Sequence, residues 1–324
     1  MYSLEEIQNL IDKAIENLEV YREPKELYEP VRYVFKTGGK RLRPVLTLMS
    51  CNLFSNNVDE AIIPSLGLEI FHNFTLLHDD IMDEAALRRN HLTVHKKWDQ
   101  NVAILSGDVM AILAYEYITS CREEILVDVI GVFNKTARQV CEGQQYDMNF
   151  ERVLNVTVQE YLKMIEMKTS VLLAGCMHIG ALIGGADTGN AELLYEFGRD
   201  VGMAYQLQDD LLDTYGNTEV FGKEIGGDIV ANKKTFLLIK ALEKADEKQQ
   251  IEIHHLLKRL EDDPQKKIRA MKKVFDELGM QELTRNLVGH YYTSAEKNLN
   301  KVRVPEERKM QLKQLADTLL TREK

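Results

Sequence analysis

Along most of this chain apolar residues recur every three or four positions, and little of it alternates as a strand would. Leu4, Ile7, Leu10, Ile11, Ala14, Ile15 and Leu18 line one face of a first helix. Ser3 with Glu6 three residues on forms a capping box at its start. Asp263-Pro264 reads as an N-cap with proline at the first helical position, opening a helix through Phe275 and Leu278. Pro305 opens the last helix, with Met310, Leu312, Leu315 and Leu319 as its expected apolar side. Between these ends the pattern predicts about ten helices joined by turns at Gly38-Gly39, Asn56-Asn57, Gly184-Gly185 and Gly226-Gly227. Residues 244–250 read as a solvated loop between helices. No proline lies between Pro64 and Pro264, and no linker or low-complexity stretch divides the chain. The expectation is all-α, one large single-domain helical bundle over residues 1–324.

Within that pattern one short motif occurs twice, Asp79-Asp80-Ile81-Met82-Asp83 and Asp209-Asp210-Leu211-Leu212-Asp213. Each copy follows an apolar helical run. On a helix Asp79 and Asp83 are i,i+4 neighbours and Asp80 and Asp83 are i,i+3, so three carboxylates share a face. Two such helices facing each other would repel, at roughly 3 kcal/mol per like pair for ~6 Å and an effective dielectric of ~20. A cation has to lie among them, and hard carboxylate oxygens in small number suit magnesium shared with a phosphorylated substrate.

Composition narrows the setting. The 324 residues are 44% hydrophobic and 28% charged, ordinary for a soluble globular chain. No apolar stretch is expected to reach the ~20 residues of a membrane span, and the acidic, amphipathic N-terminus shows no leader. A net charge of −10 argues against nucleic acid. Cys51, Cys121, Cys141 and Cys176 form no CxxC pair and read as buried thiols of a reducing, cytoplasmic protein. Trp98 reads as packing at a helix junction, and the twelve methionines as core filler.

Basic residues nevertheless gather near special positions. Gly38-Gly39-Lys40-Arg41-Leu42-Arg43-Pro44 joins a glycine turn to a basic helix start; read alone it is equally a solvated loop. Arg88-Arg89 follows Asp83 closely and could simply balance the acidic run. Lys168-Thr169 lies in a helical segment where a lysine beside an apolar face needs a partner. Lys223 and Lys233 bracket Gly226-Gly227-Asp228. Taken together, two acidic triads and these cations describe a pocket for two diphosphates. The chain has no Ser-His-Asp set, HExxH, Walker A loop or GxGxxG, which argues against hydrolase, zinc protease, nucleotidase and dehydrogenase chemistry.

Read in order, GGKRLRP, FHNFTLLHDDIMD, the Arg88-Arg89 pair, GQQYD, KTS, YQLQDDLLD, GKEIGGDI and NKKT span nearly the whole chain, and the series resembles the trans-isoprenyl diphosphate synthases, or polyprenyl synthetases. The resemblance implies an all-α homodimer of the isoprenoid synthase type, its two aspartate-rich helices facing across a deep central cavity and binding three magnesium ions. It implies that Asp79, Asp83 and Asp209 ligate metal directly, with Asp80, Asp210 and Asp213 supporting. It assigns Arg88, Lys168 and Lys223 to the allylic diphosphate, and Lys40, Arg43, His72 and Arg89 to isopentenyl diphosphate. Thr169 and Gln206 would line the reacting centre, with Gln144, Asp147, Asp228 and Lys233 as a polar surround. On the residues alone His72 is a core histidine; the resemblance makes it a diphosphate contact. His78 keeps the plain packing reading.

The implied reaction is electrophilic prenyl transfer, in which an allylic diphosphate ionises and the alkene of isopentenyl diphosphate attacks. Phe74 and Thr75 lie about one turn below Asp79 and, with Phe71 deeper, would floor the cavity and limit the product. In the family, aromatic residues at both positions go with a fifteen-carbon product, and an aromatic only at the first often goes with twenty. The resemblance therefore implies fifteen or twenty carbons, with twenty slightly favoured. The alternatives are a longer-chain synthase for quinone side chains, a terpene cyclase, and a non-catalytic partner subunit. Two complete aspartate triads with every basic motif present speak against the last two. The absence of DxDxDG loops speaks against a calcium-binding structural protein.

Overall fold

The computed structural model describes residues 1–18, 20, 22–153, 155–216, 225–258 and 263–320. These group into two compact units, one of Met1–Asn134, Gly175–Leu194 and Arg303–Leu312, the other of Lys135–Ala174, Tyr195–Val302 and Lys313–Lys324. Both are helical, as the periodicity predicts. Among the described residues the strands are one two-stranded pair.

The first unit opens with α1 (Leu4–Glu16), whose capping box is formed as expected: Ser3 Oγ accepts from Glu6 N and Glu6 Oε2 from Ser3 N. Caps of this kind contribute about 1 kcal/mol. Then come α2 (Lys25–Lys36), α3 (Leu42–Phe54) and α4 (Asp59–Met82). A hairpin follows, β1 (Leu87–Arg88) against β2 (His91–Leu92), then α5 (Val94–Lys97), α6 (Gln100–Ile118) and the start of α7 (Glu123–Arg152). Helices α4 and α6 run antiparallel in close contact because each offers a glycine. A Cβ on Gly67 of α4 would meet Ile118 and the Ala114 carbonyl, and one on Gly107 of α6 would meet the His78 ring. The part of α9 (Val171–Ile183) in this unit packs on α3 through Gly180 against the Thr47 carbonyl, and Ser50 Oγ donates to the Met177 carbonyl.

In the second unit, α8 (Val158–Ile165) begins at a second capping box, Thr157 with Glu160, and runs into a π-turn, Glu166–Ser170. Then come most of α10 (Thr188–Tyr215), a short α11 (Gly227–Val230), α12 (Phe236–Lys244), α13 (Glu247–Lys258), α14 (Pro264–Glu277) and α15 (Met280–Lys301). Helix α14 starts as its sequence predicts, with Asp263 accepting from Lys266 N and Pro264 in first place. One apolar cluster holds Leu211, Leu237, Ile253, Met271 and Phe275; another holds Phe150, Tyr161, Leu207 and Val288.

Several expectations need correcting. Residues 244–250 are mostly helix, since α12 ends at Lys244 and α13 begins at Glu247. In α16 (Glu306–Leu320) Leu312, Leu315 and Leu319 are buried but Met310 is half exposed; Lys309 and Ala316 complete the buried face. The cysteines are all free, but only Cys51 and Cys176 are buried, and Cys141 is exposed. Two helical stretches, Gln100–Ile118 and Val158–Ile183, are long and apolar enough to cross a membrane by length and composition, and are 39% and 67% buried. In α6 the cause is that apolar residues occupy opposite faces: Met110, Leu113 and Ile118 inside, Ile104, Leu105, Ile112 and Tyr115 outside.

Candidate active site

Both aspartate motifs come at the C-terminal ends of long helices. Asp79 and Asp80 lie in the last turn of α4, with Asp83 as its C-cap; Asp209, Asp210 and Asp213 occupy the last two turns of α10. A helix C-terminus carries partial negative charge, so carboxylates there lose rather than gain from the helix dipole, by about 0.3–1 kcal/mol each. Neither placement serves helix stability, and each calls for a cation.

In the first unit the nearest cation is Arg88, whose Nε donates to Asp80 Oδ1 at 2.7 Å and whose Nη2 reaches Asp79 Oδ2 at 3.5 Å. Burial still pushes the Asp80 carboxyl up to about 6; Arg88 opposes the rise, and Asp79 and Asp83 add to it. Arg88 ends β1, and the hairpin turn is Arg89-Asn90, both with positive φ. Such a two-residue turn matches strand twist but normally takes Asn or Gly at both places, so arginine there is a strained choice. The Arg89 side chain supplies the compensation: Nη1 donates to the Gly38 carbonyl, and the guanidinium lies so close to Gly39 that a Cβ there would touch it at 2.9 Å. The contact accounts for Gly39, while Gly38, with open space around a Cβ, is called for by its φ of +82°.

Around the half-buried His72 the positive charge accumulates. Burial and then Arg43, Arg89, Arg88 and Arg41 hold its imidazole well below the usual histidine range, so the ring is neutral at pH 7. Arg43, in the first turn of α3, has a buried Nε with no hydrogen-bond partner among the described residues. Lys40 is exposed just ahead of it. Arg41, the left-handed N-cap of α3, is tied to the Phe35 carbonyl at 2.6 Å and to buried Glu69 at 3.1 Å. Asn73 Nδ2 shares Glu69. A shallow cleft passes Asp80, Arg88, Arg89, Asn73 and Tyr33.

Deeper on α4, Phe74 packs between Phe71 (5.6 Å between ring centroids) and His78 (4.8 Å), and Phe71 meets Phe133 edge-on at 5.2 Å. Thr75 caps the His72 carbonyl, 2.8 Å away. His78 Nε2 lies 3.2 Å from the Ile104 carbonyl, a packing histidine as expected.

In the second unit, the π-turn presents Lys168 and Thr169. Its backbone is wedged between two glycines: a Cβ on Gly143 of α7 would lie 2.2 Å from Lys168 N, and one on Gly202 of α10 would lie 2.6 Å from Ser170 Cα. Single π-turns of this kind are concentrated at functional sites. Lys168 Nζ bonds Asp147 at 2.6 Å, and Gln144 lies one turn before Asp147 on α7. Thr169 donates to Gln206 Oε1 at 3.1 Å, and Gln206 Nε2 to Asp210 Oδ1 at 3.0 Å. The Tyr161 hydroxyl donates to Asp210 Oδ2. Burial pushes the Asp210 carboxyl up to about 7. Asp213 rises to about 6, through burial first and Asp228 second, although Asp228 N donates to its Oδ2 at 2.9 Å. Lys233 pairs with Asp228 at 3.7 Å, and the segment carrying both is anchored by buried Lys267, which donates to Asn232 Oδ1 and the Val230 carbonyl. Lys223 lies outside the described residues.

Each unit thus assembles its share of the expected residues. Glu69, Arg41, Asn73, Tyr161 and Lys267 were not anticipated. Glu69, a lone acid in the apolar run LEIF, carries a signal; Tyr161 carries none, because its partner lies 49 residues away. Among the described residues no three Asp, Glu, His or Cys side chains form a ready metal cage. Aspartates at a helix C-terminus, with carboxyls raised by burial, fit a hard divalent cation held by a few carboxylates together with substrate phosphates.

A helical fold with paired carboxylate motifs and arginine-rich surroundings defines a class of metal-dependent enzymes acting on diphosphates. The chain belongs to the polyprenyl synthetase family, whose model matches residues 24–275; its members are divalent-metal-dependent prenyltransferases of the all-α isoprenoid synthase fold. It is 36% identical to the geranylgeranyl diphosphate synthase of Methanosarcina mazei over 328 residues, covering 100% of this chain and 99% of that one. To the geranylfarnesyl diphosphate synthase of Natronomonas pharaonis it is 33% identical, over 99% and 97%. A crystal structure of a geranylgeranyl pyrophosphate synthase superposes with a TM-score of 0.95 at 40% identity, covering 99% of each chain.

Proposed function

We propose that residues 1–324 act as one catalytic domain that condenses isopentenyl diphosphate with an allylic diphosphate, head to tail and trans. The product is a C15–C20 prenyl diphosphate, with twenty carbons favoured, and diphosphate is released. The observation that carries this reading is the crowding of Arg41, Arg43, Arg88 and Arg89 around a neutral His72, next to a carboxylate motif at a helix C-terminus. Such a site needs a polyanion and a divalent cation together. The names of the relatives support the chain length, as does a single aromatic, Phe74, ahead of Thr75.

In this proposal Asp79, Asp83 and Asp209, with Asp80, Asp210 and Asp213 in support, would hold three Mg²⁺ ions, which would supply Lewis-acid neutralisation of the leaving diphosphate. Arg88, Lys168 and Lys223 bind the allylic diphosphate. Arg88 and Lys168, closed on carboxylates here, exchange those partners for phosphate oxygens. Lys40, Arg43, Arg89 and His72 orient isopentenyl diphosphate; the unpartnered Arg43 Nε is a donor such a ligand would satisfy. Thr169 and Gln206 turn oxygen dipoles toward the carbon that ionises. Gln144, Asp147, Asp228 and Lys233 hold those groups in place, and Phe74, Thr75 and Phe71 limit the growing chain.

A homodimer belongs to the proposal and is supported by the exposed apolar stripe Ile104, Leu105, Ile112 and Tyr115 of α6. A cytoplasmic setting belongs to it too, supported by four free thiols. The test is incubation of the purified chain with Mg²⁺, isopentenyl diphosphate and dimethylallyl, geranyl or farnesyl diphosphate, followed by chromatography of the products. A C20 diphosphate is expected. No turnover with any primer would leave a non-catalytic subunit as the better reading.

A further inference from the structure

We infer that Tyr161 is a positioning residue for the second aspartate motif, acting through Asp210. Its side chain is 2% exposed, among the largest fully buried side chains of the fold. Phenylalanine would fill that volume equally well and would spare the cost of burying a hydroxyl, which is recovered only by a good hydrogen bond. The bond present goes to a buried carboxyl oxygen, Asp210 Oδ2, which gives the hydroxyl the partner that its burial demands.

Its position in the network gives the bond a purpose. Asp210, itself 3% exposed, has one oxygen on Tyr161 and the other on Gln206 Nε2 at 3.0 Å. Gln206 is one turn before Asp210 on α10, and its carbonyl oxygen receives the Thr169 hydroxyl at 3.1 Å. Tyr161 and Thr169 belong to α8 and the π-turn that continues it; Gln206 and Asp210 belong to α10. The four residues therefore form one hydrogen-bonded chain that locks the π-turn to the carboxylate motif. With both Asp210 oxygens fixed by donors, the Gln206 amide has a single satisfied orientation, nitrogen to the carboxylate and oxygen to the hydroxyl. Removing the phenol hydroxyl leaves one carboxylate oxygen buried without a donor and frees Asp210 to rotate, taking Gln206 and Thr169 with it. Outer partners that orient metal-binding carboxylates are commonly worth 10–100-fold in metal affinity or activity.

The inference rests on the function proposed above. It is tested with Tyr161→Phe in the full chain. Half-saturating Mg²⁺ for turnover is expected to rise roughly 10-fold and kcat to fall roughly 10–100-fold. The KM for isopentenyl diphosphate should stay as in the parent, because its proposed ligands, Lys40, Arg43, His72 and Arg89, belong to the first unit and the four bonded residues to the second. A second readout needs no turnover: calorimetric titration of Mg²⁺ in the presence of inorganic diphosphate, where Y161F should bind more weakly by a similar factor. Parent-like Mg²⁺ dependence in both measurements overturns the inference while leaving the enzyme assignment intact. An inactive parent overturns the assignment, and the calorimetric comparison still decides the role of Tyr161. Should Y161F fail to fold, Gln206→Leu, which removes the other donor to Asp210, must weaken Mg²⁺ binding in the same titration; unchanged binding overturns the inference.

Discussion

Replacing Gly143 by alanine should disable the π-turn without touching a single proposed ligand. The new Cβ would lie 2.2 Å from Lys168 N, 2.6 Å from the Met167 carbonyl carbon and 2.7 Å from Lys168 Cα, all backbone atoms that no rotamer change can move. Ordinary contact begins at 3.4 Å, so α7 and the π-turn must part by about an ångström. Overpacking of that kind costs about 1–3 kcal/mol, a Tm loss of a few degrees for a chain this size. The effect on catalysis should be larger. Lys168 and Thr169 ride on the displaced segment, and the Lys168–Asp147 bond of 2.6 Å starts from α7 itself. A 1 Å misplacement of reacting groups can cost ~100-fold. Gly131→Ala is the control, on the same helix but with nothing within 4 Å of its Cβ. That change should stabilise by about 0.5–1 kcal/mol through helix propensity and leave kcat alone. Scanning calorimetry and steady-state kinetics on the two variants decide the matter. If G143A kept parental kcat and Tm, the wedge between α7 and α10 would not be what shapes this segment.

Other perturbations separate the remaining claims. Phe74→Ala opens the space between Phe71 and His78 and should shift the product to longer chains on chromatography; an unchanged distribution would remove Phe74 as the floor. Glu69→Ala leaves Arg41 buried without its carboxylate, a loss of about 3–5 kcal/mol that chemical denaturation would reveal, and a loss under 1 kcal/mol would contradict the pairing. In the metal-free protein Asp80, Asp210 and Asp213 keep their protons to about 6, 7 and 6, against about 3.9 when unfolded. Their contribution to stability is therefore full below about pH 4 and is lost as pH rises through 6 to 7. Thermal melts in EDTA should fall from pH 5 to pH 8, with a shallower slope in Asp210→Asn; a slope that D210N leaves unaltered would refute the burial argument.

Much of this was legible in the chain because its signals are local. The aspartate motifs, the Ser3 and Asp263 caps and the glycine turns depend on neighbours within one or two helical turns, and each stands where the pattern puts it. Nothing in the Leu87–Leu92 stretch alternates for long enough to announce a hairpin; its turn is held by a guanidinium reaching back 51 residues to Gly38. The π-turn has no composition of its own, being imposed by glycines 25 and more residues away in sequence. Periodicity also assumes one apolar face per helix. It fails on α6, which has two, and on α16, where a buried Lys309 displaces Met310. Tyr161 is the instructive case: nothing near it in sequence points to its partner, and only tertiary structure shows what its hydroxyl is for.

The central claim, that the two carboxylate motifs at the ends of α4 and α10 serve a divalent-metal reaction, is tested most directly by measuring Mg²⁺-dependent product formation in Asp79→Ala and Asp209→Ala beside the parent, with far-UV circular dichroism on each. Turnover should drop by several orders of magnitude in both while helicity is retained. Parental turnover in either variant would contradict the account.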